Sequence, residues 1–304
     1  MGRALITGGN GLVGTELTTL LLERGFEVYN LSRSGRAPKG AKGFKWDYEN
    51  DYVDSKALED VDVIFHLVGA SIADKRWTNS QKKIIIESRT KTAQLLFDHF
   101  SQNDRKPTHI ISASGSGYYG YNSGNKSFDE NDPLGDGFLA EVTRQWENSI
   151  KNFSDLGIKT TSLRIGMVLS QNGGALEKLK MPIKLGVGSP IGSGKQIISW
   201  IHISDLVNLF IFLYEQKLEG VYNGVASETL NNKDFTKGLA SALNRPLIMP
   251  NVPAFVLKLM MGEMATEIIL GGNSSSNKKV VKAGFQFEYD DLKTALEDLL
   301  KPKG

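Results

Sequence analysis

Arg3-Ala4-Leu5-Ile6-Thr7-Gly8-Gly9-Asn10-Gly11-Leu12-Val13-Gly14 reads as a short apolar strand that runs into a glycine turn and leaves it as a helix. The spacing of Gly8, Gly11 and Gly14 is G-x-x-G-x-x-G. It lets the backbone turn tightly, come close to a pyrophosphate and pack the following helix against the strand. The free amides and dipole at the start of that helix favour negative charge. Such a triplet also occurs as plain turn chemistry, so the surroundings decide. A helical pattern, Leu12-Val13-Gly14-Thr15-Glu16-Leu17, follows it, Gly25 stops the helix, and Glu27 to Leu31 forms a second strand, as a dinucleotide fingerprint requires.

The whole chain sets limits on this reading. Its 304 residues suffice for one large or two modest domains with a real core. Lys and Arg number 36 against 34 Asp and Glu, a net charge of +2, so no strong field points to nucleic acid or to a membrane. With 0 cysteines, disulfides and thiolate chemistry are excluded, and the 4 histidines show no paired metal spacing such as His-x-x-x-His. The strand beginning at Arg3 leaves no room for a signal segment, so a cytoplasmic protein is expected.

Past the second strand stands Ser32-Arg33-Ser34-Gly35-Arg36. An NAD site places an acid ~20 residues beyond the glycines, whereas a 2′-phosphate calls for arginine. Arg33 occupies that region and no acid does, so NADP(H) is expected over NAD(H). Gly8, Asn10, Gly11, Leu12, Val13, Gly14, Ser32 and Arg33 form the expected cofactor set, together with Leu67 and Gly69 at the end of a later strand and Arg89 on the next helix. Phe44 to Trp46, Val61 to Leu67, Thr108 to Ala113 and Lys159 to Ile165 supply further strands, and a long apolar run such as Val61 to Leu67 suits a parallel sheet covered on both faces. His66 lies inside such a run and reads as a core imidazole.

The strand ending at Ala113 opens into Ser114-Gly115-Ser116-Gly117-Tyr118-Tyr119. Hydroxyls and phenols at a strand's carboxyl end suit the polarising of a carbonyl or the holding of a hydroxyl. Ser114, Tyr118 and Tyr119 are therefore candidate catalytic residues, with His202 a further acid or base if it faces the cleft. Phe138 to Leu156 reads as one helix. Gly186 to Gly194 reads as a mobile loop over the substrate rather than a phosphate loop, since Gln196 follows Lys195 where that motif needs Ser or Thr. Pro253 to Leu270 is expected as a buried amphipathic helix, its charges ruling out a membrane span, and Gly271 to Asn277 as a flexible spacer.

Taken in order, the glycine turn, Leu31-Ser32-Arg33, Leu67-Val68-Gly69 with Arg76-Trp77, Ser112-Ala113-Ser114 with Gly117-Tyr118-Tyr119-Gly120, Phe138-Leu139-Ala140 with Trp146-Glu147, Gly173-Gly174-Ala175-Leu176, Ser199-Trp200-Ile201-His202 and Gly262-Glu263-Met264-Ala265 resemble one family. It is the extended short-chain dehydrogenase/reductase superfamily, in its atypical branch of epimerase family proteins, similar to nucleoside-diphosphate-sugar epimerases. The resemblance implies an α/β fold: a doubly wound Rossmann sheet of about seven parallel strands, with a smaller, mainly helical C-terminal lobe of unassigned function. The expected division is residues 1–166 with 195–226 for the Rossmann domain, and 167–194 with 227–304 for the lobe. The resemblance also puts the superfamily's catalytic serine at Ser114 and its Tyr-x-x-x-Lys pair at Leu139 and Thr143. Neither of these two side chains can do the work of that pair, one having no proton to exchange and the other no charge. Two readings follow. One is an NADP(H)-dependent oxidoreductase or epimerase acting on a small polar substrate, a nucleotide sugar among the candidates. The other is a non-catalytic NADP(H)-binding regulatory protein.

Overall fold

A computed structural model describes residues 2–301. The first half alternates strand and helix: β1 (Arg3–Thr7), α1 (Leu12–Glu23), β2 (Glu27–Ser32), β3 (Lys42–Asp47), β4 (Tyr52–Val53), β5 (Val63–His66), α2 (Asn79–Ser101), β6 (His109–Gly115), β7 (Asn122–Phe128), α3 (Phe138–Lys151) and β8 (Lys159–Ile165). Then come β9 (Met167–Leu169), α4 (Ala175–Lys184), β10 (Ile197–Ile198), β11 (Trp200–His202), α5 (Ile203–Glu215), β12 (Gly220–Gly224) and β13 (Leu230–Asn231). The chain ends in α6 (Asn232–Ala242), α7 (Ala254–Met261), β14 (Gly272–Ser275), α8 (Lys278–Lys282) and α9 (Leu292–Leu299).

The main sheet runs β12-β8-β6-β5-β1-β2-β3-β4, parallel throughout except for the short antiparallel edge strand β4. Sequence order reverses between β1 and β5, so the crevice of a doubly wound sheet opens there, above the glycine turn. Neighbouring side chains on β5 show how two layers cover the sheet. Phe65 meets Phe210 and Tyr214 of α5, whereas His66, pointing the opposite way, meets Trp146 of α3. Ala4, Leu5, Ile6, Ile64 and Phe65 are fully buried, and burying each large apolar side chain contributes about 1.5–3 kcal/mol.

His66 is a core residue, as expected. The Trp146 indole donates to its Nδ1 at 3.3 Å, which leaves the ring proton on Nε2, facing Thr92 Oγ1 at 3.2 Å.

Three local expectations are corrected. The helix from Phe138 ends at Lys151 and continues as a tighter turn over Asn152–Leu156. The stretch from Pro253 to Leu270 is not one buried helix: Gly262, at φ 64°, breaks it, and α7 has no buried residue. Beyond the break the chain winds into a π-turn over Ala265–Ile269, where Ala265 and Glu267 are buried. The Gly271 to Asn277 spacer is ordered, since β14 pairs with β7 and buries Asn273, Ser275 and Asn277. The glycine-rich loop is pinned at its far end. Gly192 N donates to Val252 O and Val252 N to Pro190 O, at 2.9 and 3.0 Å, while Ile191 N donates to the Asn232 side chain at 2.7 Å.

Candidate functional site

The glycine turn is as tight as its sequence implies. Gly8 has φ +78° and lies against the backbone of Val68, and a Cβ on Gly14 would sit 2.5 Å from Gly8 O and 2.6 Å from Gly9 Cα. Gly11 caps α1 with no side-chain hydrogen bond, so the amides of the first turn have no partner within the helix. Gly14→Ala must push the helix off the turn. That overpacking costs about 1–3 kcal/mol, and the affinity for a dinucleotide should fall roughly 10- to 100-fold, measurable by titrating NADPH against variant and parent.

A second layer, missed in the sequence, holds the turn. Asn30, fully buried on β2, accepts from Gly9 N at 2.8 Å and donates to the Arg36 carbonyl at 2.8 Å. Asn10 Nδ2 and Ser32 Oγ converge on that same carbonyl at 2.8 and 2.7 Å. Their donors shape the 32–36 loop, and Arg33 is left exposed beside a cavity of about 140 Å³ lined by Trp46, Asp47, Tyr48 and Glu49. At the crevice, Gly69 makes room for Arg89, whose Cζ a Cβ would approach to 2.6 Å. Arg89 is 9% exposed; its guanidinium donates to Ala70 O and Ile85 O and lies 4.9 Å over the Trp146 ring, yet its Nε has no partner. Burial lowers its pKa to about 10. A buried cation with an unspent donor beside the glycine turn, and a cradle that a Cβ would fill, fit a dinucleotide's charged groups.

At the end of β6 the candidate catalytic residues enter a buried polar network. Ser114 Oγ donates to Glu147 at 2.7 Å, and Arg164 of β8 grips the same carboxylate through Nε and Nη2, both at 2.8 Å. Burial works against the Arg164 charge, but hydrogen bonding and attraction to Glu147 outweigh it and raise the pKa above the ordinary value. Arg164 Nη1 also donates to Tyr119 at 3.0 Å, and its guanidinium lies 3.3 Å over the Tyr118 ring. Leu139, Thr143 and Glu147 recur every four residues on the face of α3 turned to this loop. A Cβ on Gly117 would meet Leu139 at 3.0 Å, and one on Gly115 would meet Thr143 at 3.5 Å. The Thr143 hydroxyl is spent on the Leu139 and Ala140 carbonyls. Glu147, one turn on, is thus the first ionisable group on that face. Sequence reading noted it as part of a motif and assigned it no role.

Two catalytic expectations are corrected. Tyr119 is 2% exposed, its hydroxyl donates to Asn223 at 2.8 Å, and burial pushes its pKa up to about 12, so it holds the loop in place and exchanges no proton at neutral pH. His202 faces away from the cleft. Its Nδ1 accepts from Ser204 N at 3.1 Å, its ring stacks on Tyr289 at 3.9 Å, and its Nε2 lies 3.4 Å from Asp298 of α9. Burial lowers its pKa, against the pull of Asp298. Of the candidates, the buried Ser114 and the half-buried Tyr118 remain.

The C-terminal segment closes the site from above. Glu267 accepts from Phe138 N and Leu139 N at 2.8 and 2.9 Å, capping α3 where its positive dipole end needs a carboxylate. Trp77 packs on Phe138 at 4.8 Å, and Lys82 pairs with Glu263 at 2.5 Å. Asn273 donates to the carbonyls of Ser116 and Gly120, fixing the serine and tyrosine loop. Among the described residues there is no cluster able to hold a metal ion, and no helix is long and apolar enough to cross a membrane.

Comparison with known proteins places this geometry. The profile of the NAD dependent epimerase/dehydratase family matches residues 4–225, and that of a domain of unknown function, DUF1731, matches residues 252–299. Epimerase family protein SH2119 of Staphylococcus haemolyticus is 36% identical over 304 residues, covering 99% of each chain. Epimerase family protein SA0724 of Staphylococcus aureus is 32% identical over 302 residues, 99% of this chain and 100% of the relative. Among solved structures, human epimerase family protein SDR39U1 with NADPH superposes with a TM-score of 0.87 at 31% identity, covering 98% of both chains. A UDP-N-acetylglucosamine 4-epimerase from Methanobrevibacter ruminantium, in complex with UDP-N-acetylmuramic acid, shares the fold at a TM-score of 0.79 and 18% identity, over 98% of this chain and 97% of that one.

Proposed function

Since this chain belongs to the NAD dependent epimerase/dehydratase family, we propose that it binds NADP(H) and acts as an oxidoreductase or epimerase on a small polar substrate, a nucleotide sugar being the leading candidate. The observation that carries the cofactor reading is the glycine turn, packed so that no side chain fits at Gly14, with Arg33 exposed at the end of β2. The NADPH in the structure of the human relative agrees with it. The Rossmann domain on this reading comprises 1–166 and 195–226, and the lobe that covers the substrate comprises 167–194 and 227–304.

When bound, the cofactor supplies a hydride donor or acceptor at its nicotinamide ring. The first-turn amides of α1 and Arg89 would hold its pyrophosphate, and Arg33 its 2′-phosphate. The Ser114 hydroxyl donates a hydrogen bond to the Glu147 carboxylate, a charge-assisted bond about twice as strong as a neutral one. The Ser114 lone pairs are thereby left for a substrate hydroxyl or amine, while the Tyr118 phenol can donate. The commitment of Tyr119 and Thr143 to structural bonds, with Leu139 beside them, favours a second reading, a non-catalytic NADP(H)-binding regulator.

Titration of the purified chain with NADPH and NADH tests the shared premise. The phosphate-bearing cofactor should bind about tenfold or more tightly, as one charge-assisted contact implies, and Arg33→Ala should erase the difference. Equal affinities in the parent protein would overturn the NADP(H) assignment. Reduced-nicotinamide absorbance and product analysis with pooled sugar nucleotides separate the two readings: turnover lost in Ser114→Ala supports the enzyme.

A further inference from the structure

Among the described residues, most of the exposed large apolar side chains lie in two stretches, 181–187 and 248–260. Backbone bonds between Pro190 and Val252 and between Gly192 and Val252, with Asn251 Nδ2 donating to Gly192 O at 2.9 Å, tie the loop after α4 to the segment that leads into α7. The end of α4 and all of α7 therefore belong to one connected region of surface. Along it Leu185 is 72% exposed, Ile248 75%, Phe255 72% and Leu259 79%. Side chains three-quarters exposed stand out from the surface, whereas residues lining a groove are half covered by its walls.

Within these two stretches the charges have one sign, the nearest acids, Glu177 and Glu263, lying just outside them. From Lys178 to Lys195 every acidic or basic residue is a lysine, and from Lys237 to Lys258 each is Lys or Arg. Lys184, Lys195, Arg245 and Lys258 take part in none of the ion pairs found among the described residues, although Lys178 pairs with Asp74. A second copy docked on the same face about a twofold axis would set these cations against one another. An anionic, apolar surface satisfies both features at once: the protruding side chains enter the boundary between headgroups and acyl chains, and the lysines meet the headgroup charge.

We propose that the α4 and α7 face docks this protein peripherally on an anionic lipid bilayer. The contact spans nothing. It stands independently of the cofactor reading, because none of its residues belongs to the glycine turn or to the Ser114 network.

The test is co-sedimentation of the full chain with phosphatidylcholine vesicles and with vesicles that also contain phosphatidylglycerol. The protein should pellet with the anionic vesicles, remain in solution with the neutral ones and be released by salt. Removing both Lys184 and Lys258 by substitution to alanine should weaken partitioning about tenfold or more, at roughly fivefold per basic residue. Leu259→Glu should abolish it while keeping the thermal midpoint of the parent, since the side chain is exposed. Equal partitioning on both vesicles, no partitioning on either, or undiminished partitioning of Leu259→Glu would overturn the proposal. So would a dimer in light scattering that Leu259→Glu dissolves, which would assign the face to a second copy.

Discussion

Arg164→Leu is expected to lower the free energy of unfolding in urea by about 3–5 kcal/mol, the loss typical when one partner of a buried ion pair is removed. The Arg164 side chain is 3% exposed and that of Glu147 11%, so the carboxylate left behind has little access to water. It would keep only the Ser114 hydroxyl as a donor, and Tyr119 would lose the bond from Nη1. The effect should be strongly non-additive. Once Glu147 is also made leucine no charge remains stranded, and the double variant should be more stable than the sum of the two single losses predicts, by an interaction term of about 0.5–3 kcal/mol. Additive losses would mean that the pair does not act as a unit. NADPH affinity provides the contrast: the pair lies on α3 and β8, away from the glycine turn, so stability should fall while cofactor binding by the folded fraction is kept.

The same pair shows where sequence reading stops. The strands of the sheet could be read because Ala4-Leu5-Ile6 and Val63-Ile64-Phe65 are apolar without alternation, and only burial on both faces makes such runs favourable. The glycine turn could be read because its spacing is itself a steric requirement. Tyr118 and Tyr119, adjacent in sequence, cannot be told apart by composition. The fold separates them, turning Tyr119 inward to Asn223, which lies 104 positions away. His202 is a similar case: it ends β11, but that strand feeds α5, and the ring caps that helix under Tyr289. The Gly271 to Asn277 stretch looked like a linker because glycine, serine and asparagine lack apolar groups. In the fold those amides satisfy the carbonyls of a loop more than 150 positions away, a demand that no local pattern records.

Acid should destabilise this protein steeply, and His66 and His109 set the sign. Burial, then the neighbouring Arg89 charge, lowers the pKa of His66 to about 3. Burial also lowers that of His109 to about 4, against a weaker opposing pull from Glu219. In the unfolded chain both rings titrate near 6.5. Between about pH 6 and pH 4 the unfolded state therefore binds up to two protons that the folded state refuses, so stability falls as pH falls, by as much as about 2.7 kcal/mol per pH unit from this pair. Above about pH 7 neither state is protonated and the contribution is flat. His109→Gln should remove close to half of that slope in urea titrations run at stepped pH, because the amide can still bond Thr161 while carrying no charge. A slope unchanged in the variant, or ring resonances of the folded protein titrating near 6.5, would refute the assignment. The consequence reaches the site. A protonated His66 would set a second cation against Arg89 and give up the Nδ1 acceptor that holds Trp146, the ring on which Arg89 lies. The neutral imidazole thus supports the buried cation beside the glycine turn, and because the folded state keeps it neutral down to about pH 3, acid should unfold the sheet before NADPH binding by the folded fraction weakens.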